Sequence, residues 1–142
     1  MADDHISLAV GSDGTVYAAV KTSYDDWSSP KIALLVRRPT GQWDDLYAVD
    51  NSGTRPIVVL NEAADVLTVI YAERESGGDV KYRDTTLPDI AFAGRRTLIQ
   101  GDYLTDVSSV KGNITDSLVV IATSKSPSGA TTGVVSVRLD AP

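Results

Sequence analysis

A hydrophobic pattern that returns every 51 residues constrains this chain more than any other feature. Val16, Leu67 and Leu118 hold equivalent places in Gly14-Thr15-Val16-Tyr17-Ala18-Ala19-Val20, Asp65-Val66-Leu67-Thr68-Val69-Ile70-Tyr71 and Asp116-Ser117-Leu118-Val119-Val120-Ile121-Ala122, and the two steps between them are equal. A repeat of this length signals stacked supersecondary units, none of which can bury its apolar surface alone. Around each anchor the segments are short, rich in Val, Ile, Leu, Thr and Tyr, and carry no helical stripe with a capping residue before it. The first unit predicts strands over Ile6–Val10, Val16–Lys21, Ile32–Arg38 and Trp43–Val49. The second predicts Pro56–Leu60, Val66–Glu73, Val80–Asp84 and Arg95–Ile99. In the third, Val107–Lys111, Leu118–Thr123 and Val134–Leu139 are expected, with no fourth.

Turn chemistry sets the boundaries. Ser12-Asp13-Gly14, Asn61-Glu62-Ala63-Ala64-Asp65 and Lys111-Gly112-Asn113 divide first from second strands, and Pro39-Thr40-Gly41 divides third from fourth. Successive strands are therefore antiparallel hairpins. A sheet with one wet face alternates apolar and polar residues, whereas Ile57-Val58-Val59-Leu60, Val66-Leu67-Thr68-Val69-Ile70 and Leu118-Val119-Val120-Ile121 are apolar at nearly every position. Both faces of these strands must be covered. A β-propeller meets that demand by pressing each four-stranded blade between two neighbours, and four strands with their turns fit a period near 50. The expected fold is thus all-β: three blades of a propeller within a single domain spanning residues 1–142, with blade one over 5–50, blade two over 54–100 and a three-stranded blade three over 103–140.

The repeat resembles the degenerate blades of the sialidase-like propeller superfamily, in which a Gly-containing turn and an aromatic residue join the third and fourth strands. Pro39-Thr40-Gly41-Gln42-Trp43 carries that resemblance, and Ala91-Phe92 carries it more loosely. The full Ser-x-Asp-x-Gly-x-Thr-Trp box is absent from that turn; Ser12-Asp13-Gly14-Thr15 is similar but lies between first and second strands. The resemblance implies a propeller and, for an enzyme of that kind, an arginine triad, a Tyr–Glu nucleophile pair and an acidic proton donor. Arg55 would supply one arginine, and Tyr71 with Glu73 or Glu62 the pair. Arg37 and Arg83, on third strands, lie too far from the axis to complete the triad.

Three blades do not close a ring, and an open array leaves an apolar blade face bare at each end. A homodimer forming a six-bladed ring is the expected assembly, with a separate propeller segment, or a longer parent polypeptide, as the rivals. The third strand of blade three presents an edge that a partner strand, or sequence after Pro142, is expected to cover.

Composition narrows the partners. Thirteen Lys and Arg against 19 Asp and Glu give a net charge of −6, and no basic cluster exceeds the pairs Arg37-Arg38 and Arg95-Arg96. Nucleic acid and acidic membrane surfaces, which demand a concentrated positive field, are poor partners. The pair Arg95-Arg96, opening an outer strand, reads as a charged edge against aggregation. With no cysteine and one histidine there is neither a disulfide framework nor a thiolate or histidine-cluster metal site, no Cys-His pair and no cofactor motif, so no cofactor is expected. The compartment stays open, with secretion the mild preference; Met1-Ala2-Asp3-Asp4-His5 carries no basic segment followed by an apolar run.

Two sets of residues suggest binding. His5, Arg55 and Asp106 fall at the entrance of successive inner strands, where they would ring one mouth of a central channel; Arg55 would pair a carboxylate while His5 and Asp106 hold hydroxyls. Against this, the three are simply solvated strand ends, or Arg55 and Asp106 neutralise each other. The long loop Ser23–Pro30 places Tyr24, Asp26 and Trp27 together, a combination suited to stacking on a sugar ring; alternatively Trp27 packs on the neighbouring blade. Asp25 and Asp26 hint at calcium without the rest of a ligand set. The function expected from all this is a non-catalytic binding or scaffolding module with carbohydrate as its candidate ligand. An enzyme fragment of sialidase-like or polysaccharide-degrading type, and a purely structural assembly module, are the alternatives.

Overall fold

The structure, a computed structural model, describes residues 2–115 and 117–140. Asp116, one of the aligned repeat positions, lies outside the described residues. Among those described there is no helix; eleven strands form three antiparallel sheets of four, four and three strands. The first sheet holds β1 (Ala2–Val10), β2 (Val16–Thr22), β3 (Ile32–Arg37) and β4 (Tyr47–Asp50) in sequence order. The second repeats the order with β5 (Thr54–Asn61), β6 (Val66–Ala72), β7 (Val80–Thr86) and β8 (Arg96–Ile99). The third contains β9 (Leu104–Ser109), β10 (Ser117–Lys125) and β11 (Thr131–Asp140).

The sheets are layered in chain order with the second in the middle. One apolar cluster joins Ala9, Tyr17, Ala19, Leu34 and Val36 of the first sheet to Val58, Leu60, Leu67, Val69 and Tyr71 of the second. Another joins Val59, Ile70, Ala72 and Val80 to Val107, Leu118, Val120 and Ala122 of the third. Strand β6 explains why alternation is absent from the sequence: its odd residues Leu67, Val69 and Tyr71 face one neighbour while Ile70 and Ala72 face the other. Both sides are dry at these five positions, so all five are apolar.

Equivalent residues of successive sheets meet at both ends of the strands. At one end the Ser12 N–H and hydroxyl both donate to Glu62 Oε1 (2.8 and 2.9 Å), the Glu62 N–H donates to Asn113 Oδ1 (2.9 Å), and the Asn113 amide donates to Glu62 Oε2 (2.8 Å). At the other, Arg55 Nε lies 2.9 Å from Asp106 Oδ1. Contacts that tie like to like at both ends mean that each sheet is carried onto the next with its strand order and direction preserved.

Several strand boundaries differ from expectation; β1 begins at Ala2 and not at Ile6, and β11 at Thr131 and not at Val134. Strand β4 begins at Tyr47 and not at Trp43, which makes only an isolated bridge with Arg37, because Asp44 turns its carboxylate to the Arg38 guanidinium and the Tyr47 hydroxyl (2.8 Å). Strands β5 and β9 begin earlier than expected, at Thr54 and Leu104. Both run through a bulge at which Arg55 (φ 51°) and Asp106 (φ 50°) take the left-handed conformation. A bulge breaks the two-residue alternation, so it reads as a strand end.

Candidate functional site

Loop 23–31, the turn 51–53 and the starts of β5 and β9 lie at the same end of the sheets, and the sequence-predicted residues are distributed along it. Arg55 and Asp106 are brought together, but on each other: the pair is closed at 2.9 Å, and Lys125 Nζ sits 3.4 Å from the second Asp106 oxygen. Each residue stands at a left-handed bulge, and the two pair across the stack with both side chains still partly open to solvent. His5 does not join them; its Nδ1 lies 2.6 Å from the carboxylate of adjacent Asp4. The expected trio is therefore an ion pair plus a separate histidine, with Arg55 already holding a carboxylate of its own chain.

The loop residues do converge. Trp27 is 91% exposed and Tyr24 is exposed beside it. Asp26 accepts hydrogen bonds from the N–H (3.0 Å) and hydroxyl of Ser28, a local turn that holds its carboxyl below the usual carboxylate range. Lys31 Nζ bonds Asp25 (2.8 Å) and the Tyr24 carbonyl, closing the base of the loop. Asp25 and Asp26 are thus spoken for by an ammonium and a turn. Among the described residues, no group of three or more His, Cys, Asp or Glu is placed to hold a metal ion. Tyr24, Asp25, Asp26, Trp27, Lys31 and Asn51 line a cleft of about 160 Å³.

A second depression, of about 530 Å³, shares Trp27 and Asn51 with that cleft and continues to Asp50, Ser52, Arg83 and Arg95. Sequence reading missed it, because Arg83 and Arg95 belong to the second sheet and reach across to the last residue of β4. Asp50 is buried, which opposes its ionisation. Hydrogen bonds from the Tyr71 hydroxyl (2.6 Å) and the Ser52 N–H (3.0 Å) and hydroxyl (3.1 Å), with Arg83 Nε at 3.1 Å, outweigh that cost and hold its carboxyl below the usual range. Burial first, and the bond to Asp50 second, push the Tyr71 phenol far above its ordinary value. Gly53 permits the arrangement: its φ is +113°, and a Cβ there would lie 2.6 Å from the Tyr71 ring. Arg95 donates to Ser52 Oγ (3.0 Å) and stands 3.8 Å from Asp50. Two guanidinium groups thus share one carboxylate, leaving the depression locally cationic. The one advance signal was Asp50-Asn51-Ser52-Gly53, an Asx-turn sequence at the end of a strand.

The other residues weighed for chemistry are occupied structurally. Tyr71 is fully buried, and its hydroxyl serves Asp50 and neither Glu73 nor Glu62; Glu73 stands 3.6 Å from Lys81, and Glu62 joins the three turns. Arg96 is more than a charged edge, since its guanidinium lies over the Tyr82 ring at 4.6 Å and pairs with Asp84. Comparison with protein-family profiles, with curated proteins and with solved structures finds no match to this chain.

Proposed function

We propose that the chain is a three-bladed segment of a sialidase-like β-propeller that works as a non-catalytic binding module, with carbohydrate as its ligand. Support for the propeller comes from the layering of three similar sheets in chain order and the meeting of equivalent residues at both strand ends. Support for carbohydrate rests above all on Trp27. An indole this exposed costs hydrophobic free energy unless something stacks on it, and a sugar ring offers an apolar C–H face with hydroxyls around its edge. Tyr24, Asp26 and Asn51 line the cleft beside the indole and offer polar groups to such hydroxyls. The adjoining Arg83 and Arg95 favour a sugar bearing a carboxylate over a neutral one, because a guanidinium binds carboxylate with directed hydrogen bonds.

A glycan array that includes neutral, uronic and sialic sugars tests the proposal. Wild-type chain is expected to select acidic glycans, Trp27→Ala to lose binding by at least about tenfold, and Arg95→Ala to lose the preference for acidic over neutral ligands. Binding unchanged in Trp27→Ala, or no glycan bound at all, would remove the carbohydrate reading and leave assembly as the function.

A further inference from the structure

The outer face of the first sheet and the outer face of the third are the two halves of one junction, and we infer that a second copy of this chain joins them head to tail, closing a ring of six sheets from two chains. The inference rests on the propeller arrangement proposed above, and its observations come from the repeat. The β1–β2 register sets Leu8 opposite Ala18 and Val10 opposite Val16; the β5–β6 register sets Val58 opposite Val69 and Leu60 opposite Leu67. Since Ala18 and Val69, and Val16 and Leu67, are 51-residue equivalents, Leu8 corresponds to Val58 and Val10 to Leu60. Val58 is 7% exposed, covered by the first sheet, whereas Leu8 is 57% exposed with no sheet over it. The same holds in mirror fashion at the other end of the stack. Ala19, Ile70 and Ile121 are equivalent positions of the middle strands; the first two are fully buried against the following sheet, and Ile121 is 42% exposed with Val119 beside it.

Each bare face is thus the kind of surface that another sheet covers elsewhere in the same molecule, and the two are of opposite kind. The first sheet offers the face that receives a preceding sheet; the third offers the face that packs on a following one. Both bare faces are apolar: Ile6, Leu8 and Val10 stand exposed along the inner strand of the first sheet, beside the buried Ala18, Val20 and Ala33, while Val119 and Ile121 stand exposed on the middle strand of the third. One set of strand ends agrees: the step that links Ser12, Glu62 and Asn113 carries Asn113 on to Ser12 of the second copy. Heterologous faces build rings or filaments according to whether the rotation closes. Rings of blades hold four to eight members, and six is the only multiple of three in that range.

Sedimentation equilibrium and light scattering at micromolar concentration are expected to give twice the chain mass, independent of further concentration. Leu8→Glu and Ile121→Glu each place an unpaired carboxylate in the joined face and are expected to weaken association at least about a hundredfold, with the β-sheet circular dichroism unchanged. Because each variant keeps one sound face, mixing the two should restore a dimer held by a single junction. A wild-type monomer overturns the inference, as does a dimer of Ile121→Glu alone, which would join first sheet to first sheet. A mass that climbs steadily with concentration also overturns the two-chain ring while leaving the radial stacking intact, so the failure of one is distinguishable from the failure of the other.

Discussion

The two junctions inside the chain follow one repeat and are sealed by different chemistry. Between the first and second sheets, Tyr71 stands in the apolar cluster with its hydroxyl on Asp50, and the outward-opening gap is filled by Tyr47 and by Leu87, Ile90 and Phe92 from the segment joining β7 to β8. Between the second and third sheets the positions equivalent to Asp50 and Tyr71 are Gly101 and Ala122, the packing is largely aliphatic, and a cavity of about 310 Å³ remains, lined by Val66, Ile70, Tyr82, Leu98, Leu118 and Leu139 among others. Twisted sheets splay apart toward their outer strands, so every junction needs filling there. The first is filled by its own connecting segment; among the described residues the second has no counterpart.

The contrast is most sharply tested by writing the second junction's residue into the first. Tyr71→Ala is expected to cost about 3–5 kcal/mol of unfolding free energy, the range for deleting a buried aromatic ring, measured by urea titration. A loss no larger than that of a surface substitution would mean that the first junction does not depend on its anchor. Asp50→Asn is expected to cost about 2–3 kcal/mol, since the hydrogen bonds it loses are made to a charge. Its pH dependence has a definite sign. The folded carboxyl titrates below its ordinary value of 3.8, so its contribution is full above that value and is lost as pH falls through the lower folded one. Wild-type stability should therefore drop more steeply than that of Asp50→Asn below about pH 4, as read from thermal midpoints against pH.

A smaller contrast concerns one hydroxyl. Thr54 and Thr105 are equivalent and both buried, yet Thr54 Oγ1 donates to Glu75 (3.2 Å), whereas Thr105 Oγ1 has no hydrogen-bond partner among the described residues. Thr54→Val should cost about 1 kcal/mol, and Thr105→Val should be neutral or stabilising, because a buried unpaired hydroxyl carries its desolvation cost with nothing in return. Equal losses in both would show that Thr105 has a partner after all. Smallest of all, a double-mutant cycle on Arg55 and Asp106 should return a coupling of about 0.2–1 kcal/mol, since both side chains remain substantially open to water. A coupling well above that would make the pair a structural tie between sheets.

What the residues disclosed in advance follows from where the physics was local. Strand β6 was legible at its core because packing on both faces leaves a largely apolar run, and β2 and β10 were legible because a fixed interval repeats that run. Strand β9 was cut short at Val107 because the left-handed Asp106 interrupts the pattern from within. At the site, Trp27 and Tyr24 were legible since one loop carries both. The mutual pairing of Arg55 and Asp106 was one of three readings, and only the three-dimensional arrangement selects among them. The Asp50–Arg83–Arg95 cluster was not legible: both arginines lie 33 residues or more from Asp50 and meet it only where two sheets lean together.

The layering also sets how the chain comes apart. A middle sheet with two neighbours and end sheets with one make a short linear array in which stability is a sum of unit and nearest-neighbour contributions. Opening β6 breaks both interfaces at once, while β11 can fray without disturbing either Tyr71 or Glu62. The slowest amide exchange should accordingly sit in β6, at the centre of the sequence as well as of the stack, and local opening should spread inward from the two ends.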